Sequence, residues 1–178
     1  LWSRGLGDVY KRQGKAHNLK VICGTELVCE DGMKLILLAN NLESYQQISY
    51  LITKSRLRKS KGDYQIFKED LLKFSTGFLI WIPGFNDGDK KYATWISRNF
   101  TGRSWIGLGL FYSGRDQEYL QTTKELSVTF SLPVTAVGDV RMHVSSRKPL
   151  LDTLTAIRLK KRVMDTGCGL FSNSERYL

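Results

Sequence analysis

The sequence predicts an α/β fold in which short strands of a parallel sheet alternate with helices. Five apolar runs have the length of buried strands, and most of the segments between them repeat apolar residues at helical spacing. Helical segments of this kind make the right-handed crossovers that join parallel strands. Periodicity alone does not distinguish an open sheet from a closed barrel. The predicted strands cover residues 19–23, 33–39, 77–82, 104–110 and 132–138.

Turn and capping residues set the limits of the elements between these strands. Asp31 and Gly32 predict a turn before the second strand, and Asn41 can cap the first long helix. Gly102 stops a later helix, and Pro149 fits the first turn of the last one. We expect helices at 42–58, 68–74, 90–100 and 116–130, and a last helix in which Leu150, Leu151, Leu154 and Ile157 recur at helical spacing.

Residues 1–13 are excluded from this fold. They show neither helical nor strand periodicity, and their ending resembles translated sequencing-adapter sequence, so we expect them to be non-native or disordered. The folded part then begins at residue 14. His17 precedes the first strand and is interpreted as the tail of a preceding helix, away from any site at the carboxyl ends of the strands.

Composition indicates a globular protein with an acidic partner. The 178 residues are 42% hydrophobic and 25% charged, and the net charge of +10 favours a partner such as nucleic acid. No apolar run approaches the roughly 20 residues that cross a bilayer, and no signal-peptide pattern opens the chain, so we expect a cytoplasmic protein without membrane contact. Three cysteines without paired spacing predict neither a disulfide framework nor a zinc site.

Two carboxylates are the candidate site residues. Asp139 directly follows the last predicted strand, and Glu26 follows the first. Carboxyl ends of parallel strands are where α/β proteins place their chemistry. The alternative for Asp139 is that it satisfies N–H groups of its own loop.

Basic and aromatic side chains allow two interpretations each. Arg56, Arg58 and Lys59 end the first long helix, and Arg147 precedes the last one. These cations are candidate phosphate contacts, or they form a solvated face that suits a helix C-terminus. Aromatic residues of the 90–100 helix could stack on bases, but their helical spacing favours core packing.

The stretch GDVRMHVSSRKPLLDTLTAIR, residues 138–158, carries a resemblance to a known family. It resembles the last metal motif of the polymerase and histidinol phosphatase (PHP) domain of bacterial C-family DNA polymerases, and most of all their error-prone branch. The strand-G-x-E pattern ending at Glu26 is similar to another motif of that domain. The resemblance implies a partial (βα)7 PHP barrel whose first strands are missing, with residues 14–165 as its late part and 166–178 as a linker toward the polymerase core.

The resemblance also implies a metal site that is degenerate in this chain. Relatives use H-x-H and D-H motifs of the missing front, with further ligands at the positions of Glu26 and Asp139, to hold zinc or manganese for phosphoester hydrolysis. Lys34 and Arg141 stand where metal-binding relatives have histidine, and His143 is at most a weak substitute. A cation cannot donate a lone pair to a metal. We therefore expect no cofactor in this fragment, and Mg²⁺ only in the parent polymerase.

The resemblance implies a fragment of an error-prone DNA-directed DNA polymerase used in translesion synthesis. This segment is expected to hold no catalytic residue and to act as a scaffold, with the polymerase core of the same chain, DNA and translesion accessory proteins as partners. The alternatives are an independent PHP phosphoesterase and a module that only binds nucleic acid. Because a barrel without its first strands has open edges, we also expect this fragment to fold poorly alone.

Overall fold

The computed structural model describes residues 6–178, and it is a mixed α/β structure. Five strands form one sheet in which they are ordered as in the chain, from β1 to β5. The strands are β1 Gly24–Val28, β2 Lys34–Leu38, β3 Phe78–Ile82, β4 Ser104–Leu108 and β5 Val134–Ala136. The α-helices are α1 Leu6–Ala16, α2 Leu42–Leu57, α3 Asp89–Asn99, α4 Asp116–Phe130 and α5 Lys148–Leu159.

The chain divides into two compact units, which are described separately. The first unit contains residues up to 81 together with 99–104. The second contains residues 82–98 and 105–178.

A β-hairpin begins the sheet in the first unit. β1 and β2 pair antiparallel with Glu26 opposite Ile36, and Gly32 forms the predicted turn with a φ of 89°. Because a tight turn and not a helix joins these strands, the predicted alternation of parallel strands is wrong here. The prediction of a buried strand at 19–23 is also wrong, since Leu19 and Ile22 are exposed and β1 starts at Gly24.

Helix α2 is confirmed together with its predicted cap. The Asn41 side chain accepts a hydrogen bond from the Ser44 backbone N–H at 2.8 Å, and the Ser44 hydroxyl accepts one from the Asn41 N–H in return. Ile48 and Leu51 bury one side of the helix, whereas Leu42 is exposed. The predicted short helix at 68–74 is a 3-10 helix, Lys68–Lys73.

The second unit contains the parallel pairing that the sequence predicts. β4 and β5 are parallel, with Ile106 opposite Val134, and α4 joins them with the predicted limits. Gly109 follows β4 where an added Cβ would lie 2.5 Å from the Phe111 ring. Only a residue without a Cβ permits this close approach.

Strand β5 is shorter and more exposed than predicted. We expected residues 132–138 to be buried on both faces, but only Val134–Ala136 is strand, and both end residues are exposed. Leu132 just before the strand is buried. The reason is position: β5 is the last strand of the sheet, and no strand of the described residues pairs with its outer edge.

The fold class is therefore α/β, as predicted, but the sheet of the described residues is not a closed barrel. At the other end of the chain, α1 covers Leu6–Ala16, so helical structure is present within residues that seemed to lack periodicity. Residues 1–5 lie outside the described part, and the non-native origin of 1–13 stays a prediction. His17 donates its backbone N–H to the Gln13 carbonyl at 3.0 Å, which confirms it as the end of a helix.

Candidate functional site

Asp139 is held by two arginines in the second unit. Its Oδ1 lies 2.5 Å from Arg141 Nη2, and its Oδ2 lies 3.0 Å from Arg176 Nε. The backbone of Asp139 has a φ of 40°, in the left-handed region that Asp adopts more readily than most residues. The carboxylate is thus fixed in the loop after β5, with a cation on each oxygen.

Arg176 is the more buried of the two arginines, and it comes from the C-terminal segment. Its guanidinium carbon lies 4.1 Å from the centre of the Phe111 ring and 4.0 Å from that of Phe171. Cations at this distance from ring faces are attracted by the ring quadrupole. The Arg176 carbonyl also accepts the backbone N–H groups of Arg141 and Met142, at 2.8 and 3.2 Å. Side chain and backbone together join the C-terminal segment to the loop that carries Asp139.

Glu26 forms a simpler ion pair in the first unit. Its Oε1 lies 3.1 Å from Lys34 Nζ across the β1–β2 hairpin. The two side chains are 46% and 37% exposed, so water screens the pair. Lys34 and Arg141, the cations at the predicted ligand positions, therefore each contact the carboxylate of their own unit.

These donors do not fit a bound metal ion. The oxygens of Glu26 and Asp139 face ammonium and guanidinium groups, which repel a cation and offer no lone pair. His143 is exposed beside Arg141 and Arg147. Among residues 6–178 no group of three His, Cys, Asp or Glu side chains could hold a metal.

A third carboxylate, Asp70, binds the basic end of α2. Arg58 donates to both carboxylate oxygens, the second bond measuring 2.9 Å, and Lys54 Nζ lies 2.5 Å from Oδ1. The Arg58 guanidinium beside it holds the pKa of the Asp70 carboxyl well below its usual range, although burial of the carboxyl opposes this shift. Asp70 is buried, so this cluster has a structural role: it links the end of α2 to the 3-10 helix.

The residues predicted to contact nucleic acid differ from one another in their surroundings. Arg58 is engaged by Asp70, whereas Arg56 donates to the Gly62 carbonyl at 3.2 Å and lies over the Tyr64 ring. Lys59 and, in the second unit, Arg147 are exposed. DNA contact by these residues stays a prediction.

Sequence reasoning missed Arg176 and Asp70. Arg176 is 37 residues from Asp139 and no local pattern connects them. Asp70 had a weaker signal: Lys54 and Arg58 are four residues apart on one helix face, where like charges repel unless a carboxylate lies between them.

The helix predicted at 90–100 packs against the core. Ile96 and Phe100 are buried, which favours core packing over base stacking for this helix.

The cysteines differ in exposure. Cys29 is buried, and burial raises the pKa of its thiol to about 12, which makes it unreactive at neutral pH. Cys23 is half-buried and Cys168 is exposed. No helix in the described part of the chain has the length and apolar character needed to span a membrane.

Comparison with known proteins identifies similar segments in much longer chains. No family model matches the sequence. The chain is 40% identical over 170 residues to the error-prone DNA polymerase of Dechloromonas aromatica, a match that covers 92% of this chain and 16% of that protein. It is 39% identical over 165 residues to the error-prone DNA polymerase of Pseudomonas aeruginosa, with the same coverage. It is also 39% identical over 177 residues to that of Methylococcus capsulatus, covering 97% of this chain and 17% of the relative.

The chain thus spans about a sixth of the length of these curated relatives. The sequence is therefore similar to one segment of error-prone DNA polymerases.

Proposed function

We propose that the full-length protein, meaning the complete product of the gene that carries this sequence, is a DNA-directed DNA polymerase that copies damaged template. The observation that supports this most is the identity of about 40%, which extends over 92% of the chain. Similarity over nearly the whole chain means that elements in both units are shared with the polymerases, and not one motif alone. DNA is then the substrate, and Mg²⁺ is the metal of the polymerase reaction.

Within that protein, we propose that this segment is the late part of a PHP domain. Support comes from the motif at residues 138–158, from Glu26 after Gly24, and from the parallel β4–β5 pair joined by α4. The remaining strands of a (βα)7 barrel would come from chain outside these 178 residues. Its role is that of a scaffold on the polymerase core.

The metal site of this domain is proposed to be degenerate. Arg141 and Arg176 neutralise Asp139, and Lys34 neutralises Glu26, so each carboxylate already has the positive charge that a metal supplies in metal-binding relatives. An independent phosphoesterase is not favoured, because the matching proteins are long polymerases and because these donors do not suit a metal. Translesion accessory proteins stay a proposed class of partner.

The test is primer extension by the full-length protein. It is supplied with Mg²⁺, deoxynucleotides and a primed template that carries an abasic site, with an undamaged template as the control. We expect extension past the lesion with frequent misincorporation on the undamaged template. A gene that ends soon after residue 178, or a product that hydrolyses a generic phosphoester but does not extend primers, would contradict the proposal.

A further inference from the structure

Helix α5 presents an apolar face to solvent. Leu150, Leu154 and Ile157 are 50%, 56% and 67% exposed. Their spacing of four and three residues places them on one side of the helix. Single exposed leucines are common, but three aligned large apolar side chains form a patch of the kind that marks an interaction surface.

The patch continues into a groove at the N-terminal end of the helix. Buried Met142 and the side chains of Leu150, Leu151 and Leu154 give the groove an apolar floor. Basic side chains form its rim, and none of the described residues that line it is acidic. These rim residues are Arg141, His143 and Arg147. An adjoining groove along the same helix adds Arg158.

The C-terminal residues of this chain lead directly to this groove. Tyr177 forms a parallel β-bridge with Met142, which belongs to the groove floor, and the Arg176 carbonyl binds the N–H groups of Arg141 and Met142. Any segment that follows Leu178 therefore starts beside the groove. A tethered segment has an effective concentration far above that of a free partner.

We propose that this groove and the exposed face of α5, together called the α5 surface, bind the segment that directly follows Leu178 in the full-length protein. This proposal rests on the proposed function, because the relatives are about six times longer than this chain. The chemistry of the surface requires an apolar segment with acidic residues beside it, which would face Arg147 and Arg158. The α5 surface would then be the place where this domain is fixed to the rest of the polymerase.

Cysteine accessibility in the full-length protein tests the proposal. Leu154→Cys and the matched control Val128→Cys are labelled with a maleimide, and the labelled peptides are quantified by mass spectrometry. Val128 is 83% exposed on α4 of the same unit and lies outside the α5 surface. We expect Leu154→Cys to react at least about tenfold more slowly than Val128→Cys in the native protein and equally fast in urea. A photoreactive group placed on Leu154→Cys should join it to the first segment after Leu178.

Three results would overturn the proposal. Equal labelling of the two cysteines would show that the surface is open. Protection that rises with protein concentration, accompanied by dimers in light scattering, would assign the surface to a second copy. Protection only when primed DNA is added would assign it to nucleic acid. Primer extension measured on the same samples separates these outcomes from failure of the proposed function, because an active polymerase with an open α5 surface contradicts this inference alone.

A charge variant provides an independent measurement. Arg147→Glu places a carboxylate opposite the acidic residues that we expect in the bound segment, and it should raise the labelling rate of Leu154→Cys several-fold. Arg162→Glu is the matched control, because Arg162 lies outside the groove and pairs with Asp165. A rise with Arg162→Glu as large as with Arg147→Glu would show that the basic rim does not hold the segment.

Discussion

The two carboxylates at the predicted ligand positions, Glu26 and Asp139, have cations in very different settings. Glu26 meets one lysine, and both side chains are more than a third exposed. Asp139 is 27% exposed and meets two arginines, of which Arg176 is only 17% exposed and lies over two phenyl rings. A cation beside a carboxylate is therefore a surface ion pair in one unit and part of a packed cluster in the other.

The difference shows that the surroundings of an ion pair decide how much it contributes to stability. Lys34 and Arg141 each place positive charge beside a carboxylate, but an exposed ion pair contributes little to stability. We expect the Asp139 cluster to contribute more to stability, because Arg176 adds aromatic contacts and backbone hydrogen bonds to its charge. In the second unit the Asp139 cluster has a structural role, whereas in the first unit the Asp70 cluster has that role.

The largest effect should come from Asp70, which is more buried than Glu26 or Asp139 because its side chain is only 8% exposed. Asp70→Asn leaves Arg58 and Lys54 without their anion, and we expect the opening free energy of α2 to fall by about 3 kcal/mol at pH 7. Amide hydrogen exchange of α2 peptides in the full-length protein measures this opening free energy. Asp63→Asn, at an exposed site outside the cluster, is the control. If Asp70→Asn and Asp63→Asn lost the same opening free energy, the structural role of the Asp70 cluster would be contradicted.

The same variant predicts the direction of the pH dependence. The folded-state pKa of Asp70 is lowered, so its contribution is present above the unfolded pKa of roughly 3.9 and is lost as the pH falls toward the lower folded value. The difference between wild-type protein and Asp70→Asn should therefore shrink below about pH 4. Amide hydrogen exchange of both proteins, measured at neutral pH and below about pH 4, follows this difference. A difference between the two proteins that stays constant or grows in acid would contradict this prediction.

Arg176→Met should have the next largest effect. It removes a charge-assisted bond to Asp139 and two ring contacts, and we expect the opening free energy of the segment around Phe111 to fall by about 2 kcal/mol. Arg176→Lys is the control, since it keeps the charge but loses the planar group, and it should recover only part of the loss. Full recovery by lysine would mean that charge alone holds the cluster.

Arg141→Met and Lys34→Met should have the smallest effects, and their order tests the comparison directly. We expect about 1 kcal/mol for Arg141→Met and no more than about 0.5 kcal/mol for Lys34→Met, because the latter pair is the more exposed. Hydrogen exchange of the loop at 139–144 and of the β1–β2 hairpin reports the two separately. Equal losses would mean that the settings of the two carboxylates do not differ in energy.

Sequence reasoning succeeded where local chemistry decides the structure. The Asn41 cap, the Asp31–Gly32 turn and the limits of α4 depend on neighbouring residues, and all three are confirmed. It failed at both ends of the sheet, where β1 begins five residues later than predicted and β5 is exposed, because apolar runs do not reveal which strands have partners on both sides.

The same limit applies to the candidate site. The contacts of Lys34 and Arg141 with their carboxylates could be expected from residue type and position. Arg176 could not, because its place beside Asp139 depends on the path of the chain over 37 residues.

The most direct test of the central claim is the metal content of the full-length protein. Our account holds that cations compensate Glu26 and Asp139 in place of a metal. Protein purified without chelator is analysed for zinc and manganese and assayed for hydrolysis of a generic phosphoester. The variant Arg141→His, which places a side chain able to bind metal beside Asp139, is analysed in the same way. We expect less than one zinc or manganese ion per chain, and no metal-dependent hydrolysis from either protein. Two or more such ions per wild-type chain, together with metal-dependent turnover, would contradict the account.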